Sequence, residues 1–260
     1  NLKIILRDLK KKLGLIQTGG LGDIHIALPI AFYYHKKEFE IYWPIFEHWV
    51  EQMKHYVPWI NWLGISKENT EHAYNEPVLI LNSLGVDQKI PLYNYLGTKI
   101  ELSNTPYFPY VSFDEFKYIK AKVPFHQKWN LDQCIKRDKE REDKIFNKYV
   151  KQENYVVTHL KASVHNADFD RSLIPKDFQI IEINNEGFVL DWLKVIEEAK
   201  MIFMTNSVMA NITEQLNIGK IRYFIPRTNI FINPTFINEW IWIKNKNIDP
   251  KTNLTGIKFD

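Results

Sequence analysis

The chain has 260 residues, of which 45% are hydrophobic, 25% charged and 14% aromatic. That is enough apolar material for one large core or two small ones, and it excludes a disordered or collagen-like chain. Lysine and arginine number 34 against 31 acids, a net charge of +3 spread along the sequence rather than gathered in a block, which argues against a nucleic-acid partner. A lone cysteine, Cys134, excludes an internal disulfide and a thiolate zinc site and fits a reducing compartment.

No apolar run approaches the ~18 residues of a membrane span. The first residues lack the basic, apolar and small-residue succession of a signal peptide, so a cytoplasmic location is expected. The chain opens on Asn1, which suggests a trimmed start or a longer polypeptide.

In chain order, Leu2, Ile5, Leu6 and Leu9 fall at helical spacing among lysines and predict a short amphipathic helix over residues 2–12. A strand follows over Leu13 to Gln17, then a glycine turn, then a helix carrying Ile24, Ala27, Leu28 and Ala31 on one face and bent by Pro29. Glu40 to Trp43 reads as a strand, Phe46 to Trp62 as an aromatic-rich helix, and Val78 to Asn82 as a third strand after Pro77. Pro91 to Phe125, with four prolines and many tyrosines, reads as irregular. Asp132 to Val150 mixes six basic and five acidic residues and predicts a solvated, charge-paired helix.

A second series then begins. Tyr155 to His159, Gln179 to Ile183, Met201 to Met204 and Ile221 to Ile225 read as strands, with Trp192 to Ala199 and Val208 to Leu216 as helices and Gly219 as the stop of the latter. The tail, with Phe236, Trp240 and Trp242, is aromatic enough to pack back on the body. Strands alternating with helices indicate parallel α/β sheets. The expected division is an N-terminal domain over residues 1–130, a linker helix over 131–150, and a C-terminal domain over 151–260.

Three of the ten glycines, Gly19, Gly20 and Gly22, fall within four residues, between a strand end and a helix start. There the unpaired backbone N–H groups and the helix dipole attract an anion, and glycine lets the backbone approach phosphate closely. A dinucleotide fingerprint fails, because His25 occupies its third glycine position and Glu38 and Glu40 precede the second strand. A P-loop fails for want of Gly-Lys-Ser/Thr.

The stretch LIQTGGLGDIHIALPIAFYYH resembles the opening of glycosyltransferases of family 9, the lipopolysaccharide heptosyltransferase relatives. WLKVIEEAKMIFMTNSVMANITEQLNI is similar to their C-terminal block, and VVTHLKASVHNADFDRSLIP to the strand and phosphate-facing turn between the two. Departures are Asn206 where the family usually has Asp, Asn211 where it often has His, and Ile174-Pro175 in place of Trp-Pro. The resemblance implies a GT-B-like architecture: α/β, two Rossmann-like domains facing across a cleft.

The implied function is transfer of a sugar from a nucleotide-sugar donor to a glycan or lipid-linked acceptor, metal-independent and inverting. No cofactor is expected. A lipid-linked acceptor would bring the chain to a membrane as a peripheral protein.

By the same resemblance Asp23 is the general base, which takes the acceptor hydroxyl's proton; the alternative for an acid at a helix start is capping. Gly19, Gly20 and Gly22, with Lys161, Ser163, Arg171, Asn206, Ser207 and Arg227, are the donor or phosphate-binding candidates. They would meet the charge of the leaving diphosphate, against alternatives of solvated surface charge and helix capping. His25 and His159 are candidates for sugar or phosphate contact. Asp168-Phe169-Asp170 matches a metal-nucleotide signature but lies in a predicted loop, and no metal is expected. Two other readings stand beside transfer: a nucleotide-sugar epimerase of the same fold, and a non-catalytic glycan- or nucleotide-binding protein.

Overall fold

The computed structural model describes residues 10–66, 72–92, 111–162, 166–226 and 234–247. The chain divides into two compact units, one ending at Lys136 and the other beginning at Arg137 and taking in residues 111–114. Each is built on its own parallel sheet.

The first sheet has four strands, β1 (Lys12–Ile16), β2 (Glu40–Phe46), β3 (Asn61–Ile65) and β4 (Gln88–Pro91), in the order β3-β2-β1-β4. Helices α1 (Leu21–His35), α2 (Glu47–Tyr56) and α3 (His72–Ser83) make the crossovers. β1 lies between β2 and β4, with Leu13 opposite Ile41 on one side and Gln88 on the other. Leu13, Leu15 and Ile16 are accordingly buried, as a strand enclosed in a parallel sheet must be. Helix α4 (Phe113–Lys120), a 3-10 turn (Phe125–Trp129) and the short α5 (Leu131–Cys134) complete this part of the chain. Cys134 is buried, its thiol donating to Asn130 O at 3.1 Å.

Four expectations for this part are corrected. Val78 to Asn82 is helical: Pro77 and Leu81 are buried while Leu79 is 67% exposed. Burial at i and i+4 is a helix face, whereas a strand would put Leu79 and Leu81 on the same side. The helix ends where Val86 and Gly85 N–H donate to Leu81 O and Asn82 O. Second, the aromatic helix stops at Tyr56, and Asn61 to Ile65 forms β3 against β2. Third, β4 had no counterpart among the expected strands, and α4 runs through a region expected to be irregular. The fourth concerns the charged segment, where α5 is followed by a break and then α6 (Lys139–Tyr149). Glu142 is buried there and held by Arg137 Nε at 2.8 Å, with Glu197 on the same guanidinium at 2.9 Å. Of the amphipathic helix expected over residues 2–12, only residues 10–12 are described: 10 and 11 are not helical and Lys12 begins β1.

The second sheet has the order β6-β5-β7-β8-β9, from β5 (Tyr155–His159), β6 (Gln179–Glu182), β7 (Met201–Thr205), β8 (Ile221–Ile225) and the two-residue β9 (Ile241–Trp242). Helices α7 (Leu193–Glu198) and α8 (Val208–Leu216) connect its strands. Among the described residues the crossover from β5 to β6 holds a single 3-10 turn, Arg171–Leu173. Phe169, Phe203 and Tyr223 stack in sequence at 4.4 Å across one face. On the other face Phe224 meets Phe236 at 4.8 Å and Trp242 at 4.7 Å, so the aromatic tail does pack back.

The tail is held by Glu214, fully buried on α8. Its carboxylate accepts from Ile237 N at 2.8 Å, Asn238 N at 3.2 Å and Trp240 Nε1 at 2.8 Å. A buried carboxylate is tolerated when donors answer it. Truncation at this point orphans three N–H groups at ~1–3 kcal/mol each, less what water recovers. Glu214→Ala is therefore expected to lower the unfolding free energy of this unit by about 3 kcal/mol or more, read from urea denaturation followed by tryptophan fluorescence.

Candidate functional site

In a parallel α/β sheet, ligands gather at the carboxyl ends of the strands where the strand order reverses. The first sheet reverses between β1 and β4, because the chain goes from β1 out to β2 and β3 and then returns to the other side of β1. The glycine turn leaves β1 at that point. Gly20 sits at φ 74° as the N-terminal residue before α1, and its side chain is absent where a Cβ would collide with the Asp23 carboxylate. At Gly19 a Cβ would come 2.6 Å from the Phe46 ring. The turn is tied to its neighbours by Phe46 N–H donating to Thr18 O and by Trp43 Nε1 donating to Gln17 O at 3.0 Å.

Asp23 lies in the first turn of α1, its side chain 35% exposed. Gly20, not Asp23, occupies the cap position, and it offers no side-chain cap. Asp23 Oδ1 instead lies 3.0 Å from Nζ of Lys117, a residue of α4 whose side chain is 1% exposed. The same ammonium donates to Gln17 Oε1 at 2.8 Å and to Leu92 O, just past β4, at 3.2 Å. Gln17 in turn donates from Nε2 to Gly19 O at 2.8 Å. One buried lysine thus joins the ends of β1 and β4 to the candidate base. The sequence reading did not single it out. Its one local signal is a place four residues after Phe113, on a helix whose Phe116 and Tyr118 are buried.

His25, one turn further along α1, is fully buried. Its Nδ1–H donates to Leu21 O at 2.8 Å, and loss of hydration pushes the imidazole down to about 4. A residue so enclosed is not the sugar or phosphate contact expected of it.

In the second unit the order reverses between β5 and β7, since β6 lies on the far side of β5. His159, the last residue of β5, and Ser207, just after β7, meet there with Nδ1 and Oγ 2.9 Å apart. Burial pushes His159 down to about 4. Ser207 is the N-cap of α8, its Oγ facing Ala210 N at 3.5 Å. Its carbonyl accepts from Asn211 Nδ2 at 2.9 Å. Asn206 is buried beside it, and Thr205 donates from Oγ1 to Ile225 O at 2.9 Å, tying the ends of β7 and β8 together. An anion placed at Ser207 would meet the N-terminus of a nine-residue helix.

Lys161 and Arg171 are engaged elsewhere. Lys161 is exposed and 3.7 Å from Glu182, while Arg171 lies 3.8 Å from Asp168 with its guanidinium 4.6 Å over Phe169. Asp170 faces Lys246 at 3.8 Å, so both acids of the Asp-x-Asp triplet face cations. The structure therefore brings Gly19, Gly20, Gly22 and Asp23 together in one unit, and Asn206, Ser207 and His159 in the other. Ser163 and Arg227 lie outside the described residues. Among the described residues no three His, Cys, Asp or Glu side chains gather as a metal site, and no helix is long and apolar enough to cross a membrane.

No protein-family model matches the chain, and no curated protein matches its sequence. Solved structures do. The glycosyl transferase family 9 protein of Veillonella parvula aligns at TM-score 0.59 and 11% identity, over 95% of this chain and 93% of that one. The E. coli ADP-heptose LPS heptosyltransferase II aligns at 0.58 and 11%, over 90% of each chain. The E. coli heptosyltransferase WaaC with ADP aligns at 0.51 and 9%, over 95% and 96%. At these identities the likeness establishes a shared α/β fold with parallel sheets.

The burial of His25 has a consequence that can be measured. Its imidazole titrates near 6.5 when exposed by unfolding and near 4 in the native chain. Between those values the unfolded state binds a proton that the native state refuses, so stability is lost as pH falls from about 6.5 to about 4. His25→Leu should flatten the pH dependence of the unfolding free energy in that window by up to ~1.4 kcal/mol per pH unit, as read from chemical denaturation at stepped pH.

Proposed function

We propose that the chain is a glycosyltransferase of GT-B type that moves a sugar from a nucleotide donor, ADP-heptose in the first instance, to a glycan or lipid-linked acceptor. The observation that carries the reading is Asp23: a part-exposed carboxylate at the reversal point of the first sheet, held from behind by Lys117. The glycosyltransferase fold of the neighbours supports it, as does their association with ADP and ADP-heptose.

In the proposed reaction Asp23 accepts the proton of the acceptor hydroxyl as that oxygen attacks the anomeric carbon. The bond from that carbon to the diphosphate breaks on the opposite side, which inverts the configuration. The electron pair leaves with the nucleoside diphosphate, whose charge is met by backbone N–H groups and the helix dipole at Ser207, without a metal. Asn206 and Ser207 are assigned to the diphosphate; Lys161 and Arg171 are assigned to it as well, and to reach it they would have to leave Glu182 and Asp168. Gly19, Gly20 and Gly22 are assigned to the close approach of substrate to the turn.

The test has two arms. A thermal-shift series with ADP-, GDP-, UDP- and CMP-linked sugars should show stabilisation by the ADP sugar, and failure of every nucleotide overturns the reading. Donor consumption is then followed with lipopolysaccharide or its deacylated core as acceptor. Asp23→Asn should lower kcat by about 10²- to 10⁴-fold while leaving the shift produced by ADP intact. A folded Asp23→Asn chain that turns over at the wild-type rate excludes Asp23 as the base, and nucleotide binding with no donor consumed makes the chain a binding protein.

A further inference from the structure

Lys117 is an unusual residue to find enclosed, because an ammonium gives up strong hydration on burial and is kept only where its protons are answered. It donates two hydrogen bonds, to Gln17 Oε1 at 2.8 Å and Leu92 O at 3.2 Å, and forms an ion pair with Asp23 Oδ1 at 3.0 Å. These partners come from three separate segments, the first turn of α1 and the ends of β1 and β4. The exposure is one-sided, since the lysine is buried and the carboxylate it holds is part exposed. A cation serving the core alone would satisfy itself on buried acceptors. This one reaches outward to the acid at the strand edge.

We infer that Lys117 is a positioning residue, which fixes the Asp23 carboxylate in the geometry needed to receive the acceptor proton. The inference rests on the reading of Asp23 as base. Gln17 extends the same device, because it accepts from Lys117 through Oε1 and braces Gly19 O through Nε2, setting carboxylate and turn from one point. With the ammonium gone, the carboxylate loses the tie that this atom makes to Leu92 and Gln17, and is left to turn about its own side-chain bonds. A displacement near 1 Å at a reacting group is enough to cost about 10²-fold in rate.

Lys117→Met removes the charge and keeps the apolar stem. The expected result is a fall of about 10- to 100-fold in kcat, counted per chain able to bind ADP, with the KM for ADP-heptose and the thermal shift produced by ADP unchanged. A lysine that only supports the fold would lower the fraction of chains binding ADP and leave kcat per binding chain as it was. In an Asp23→Asn background, Lys117→Met should change the residual rate by less than about twofold, since the residue acts through the acid.

Wild-type kcat in Lys117→Met, or a full-sized fall repeated in the Asp23→Asn background, overturns the inference and leaves the base assignment standing. Absence of turnover by the wild-type chain overturns the base assignment and this inference with it. Lys117→Gln, which keeps an N–H donor on a shorter stem, serves where Lys117→Met does not fold. Loss of folding in both variants assigns the lysine to the core and overturns the proposal.

Discussion

A buried ammonium held by two hydrogen bonds and an ion pair fixes its partners, and in the first unit those partners are the ends of two adjacent strands and the first turn of a helix. Parallel pairing aligns β1 with β4 only along their length. It does not determine where the chain goes after each strand ends. Lys117 supplies that determination, because Leu92 O and the Gln17 side chain both lie just past the paired residues. The glycine turn follows from the same constraint. With its path set at Gln17, the chain must pass under the Phe46 ring at Gly19 and take a left-handed conformation at Gly20 before α1 can start.

The second unit solves a related problem with the opposite sign. Glu214 is a buried carboxylate that gathers N–H donors from Ile237, Asn238 and Trp240, bringing the tail against Phe224. In each unit one of the enclosed charges organises segments that the sheet leaves unaligned. The difference lies in the partner: Glu214 is answered by neutral N–H donors, whereas Lys117 is paired with a charged group that is part exposed to solvent. An enclosed ion answered by neutral donors keeps its charge inside, and one paired with a part-exposed ion holds the opposite charge at the surface.

The central strands were legible because they are largely apolar on both faces: Leu13 to Ile16, Tyr155 to Thr158 and Ile202 to Thr205 are continuous buried runs. The strands missed in the first sheet are its two edges. β4, Gln-Lys-Ile-Pro, has one buried residue, and β3, Asn-Trp-Leu-Gly-Ile, follows an aromatic helix with no polar break to mark its start. An edge strand has one hydrogen-bonded neighbour and less surface to bury, so its composition carries less signal. The Val78 to Asn82 run failed for a different reason, since a short apolar stretch has no periodicity long enough to separate strand from helix.

The site divides along the same line. The glycine turn with Asp23, and Asn206 with Ser207, were legible because strand, turn and helix start are contiguous in sequence and the anion-attracting geometry is local. Lys117 was not, because it lies 100 residues from Gln17 and its role exists only once β1 and β4 are adjacent. Its own helix gave little help, since Lys117, Lys120 and Lys122 are indistinguishable by residue type and only the first is enclosed. The charge of a residue predicts exposure in general, and a reading that follows this rule passes over the case in which a buried cation holds a catalytic candidate in place. The more informative quantity is the pairing of a buried charge with a part-exposed partner at a strand's carboxyl end, and among the described residues Lys117 and Asp23 form such a pair.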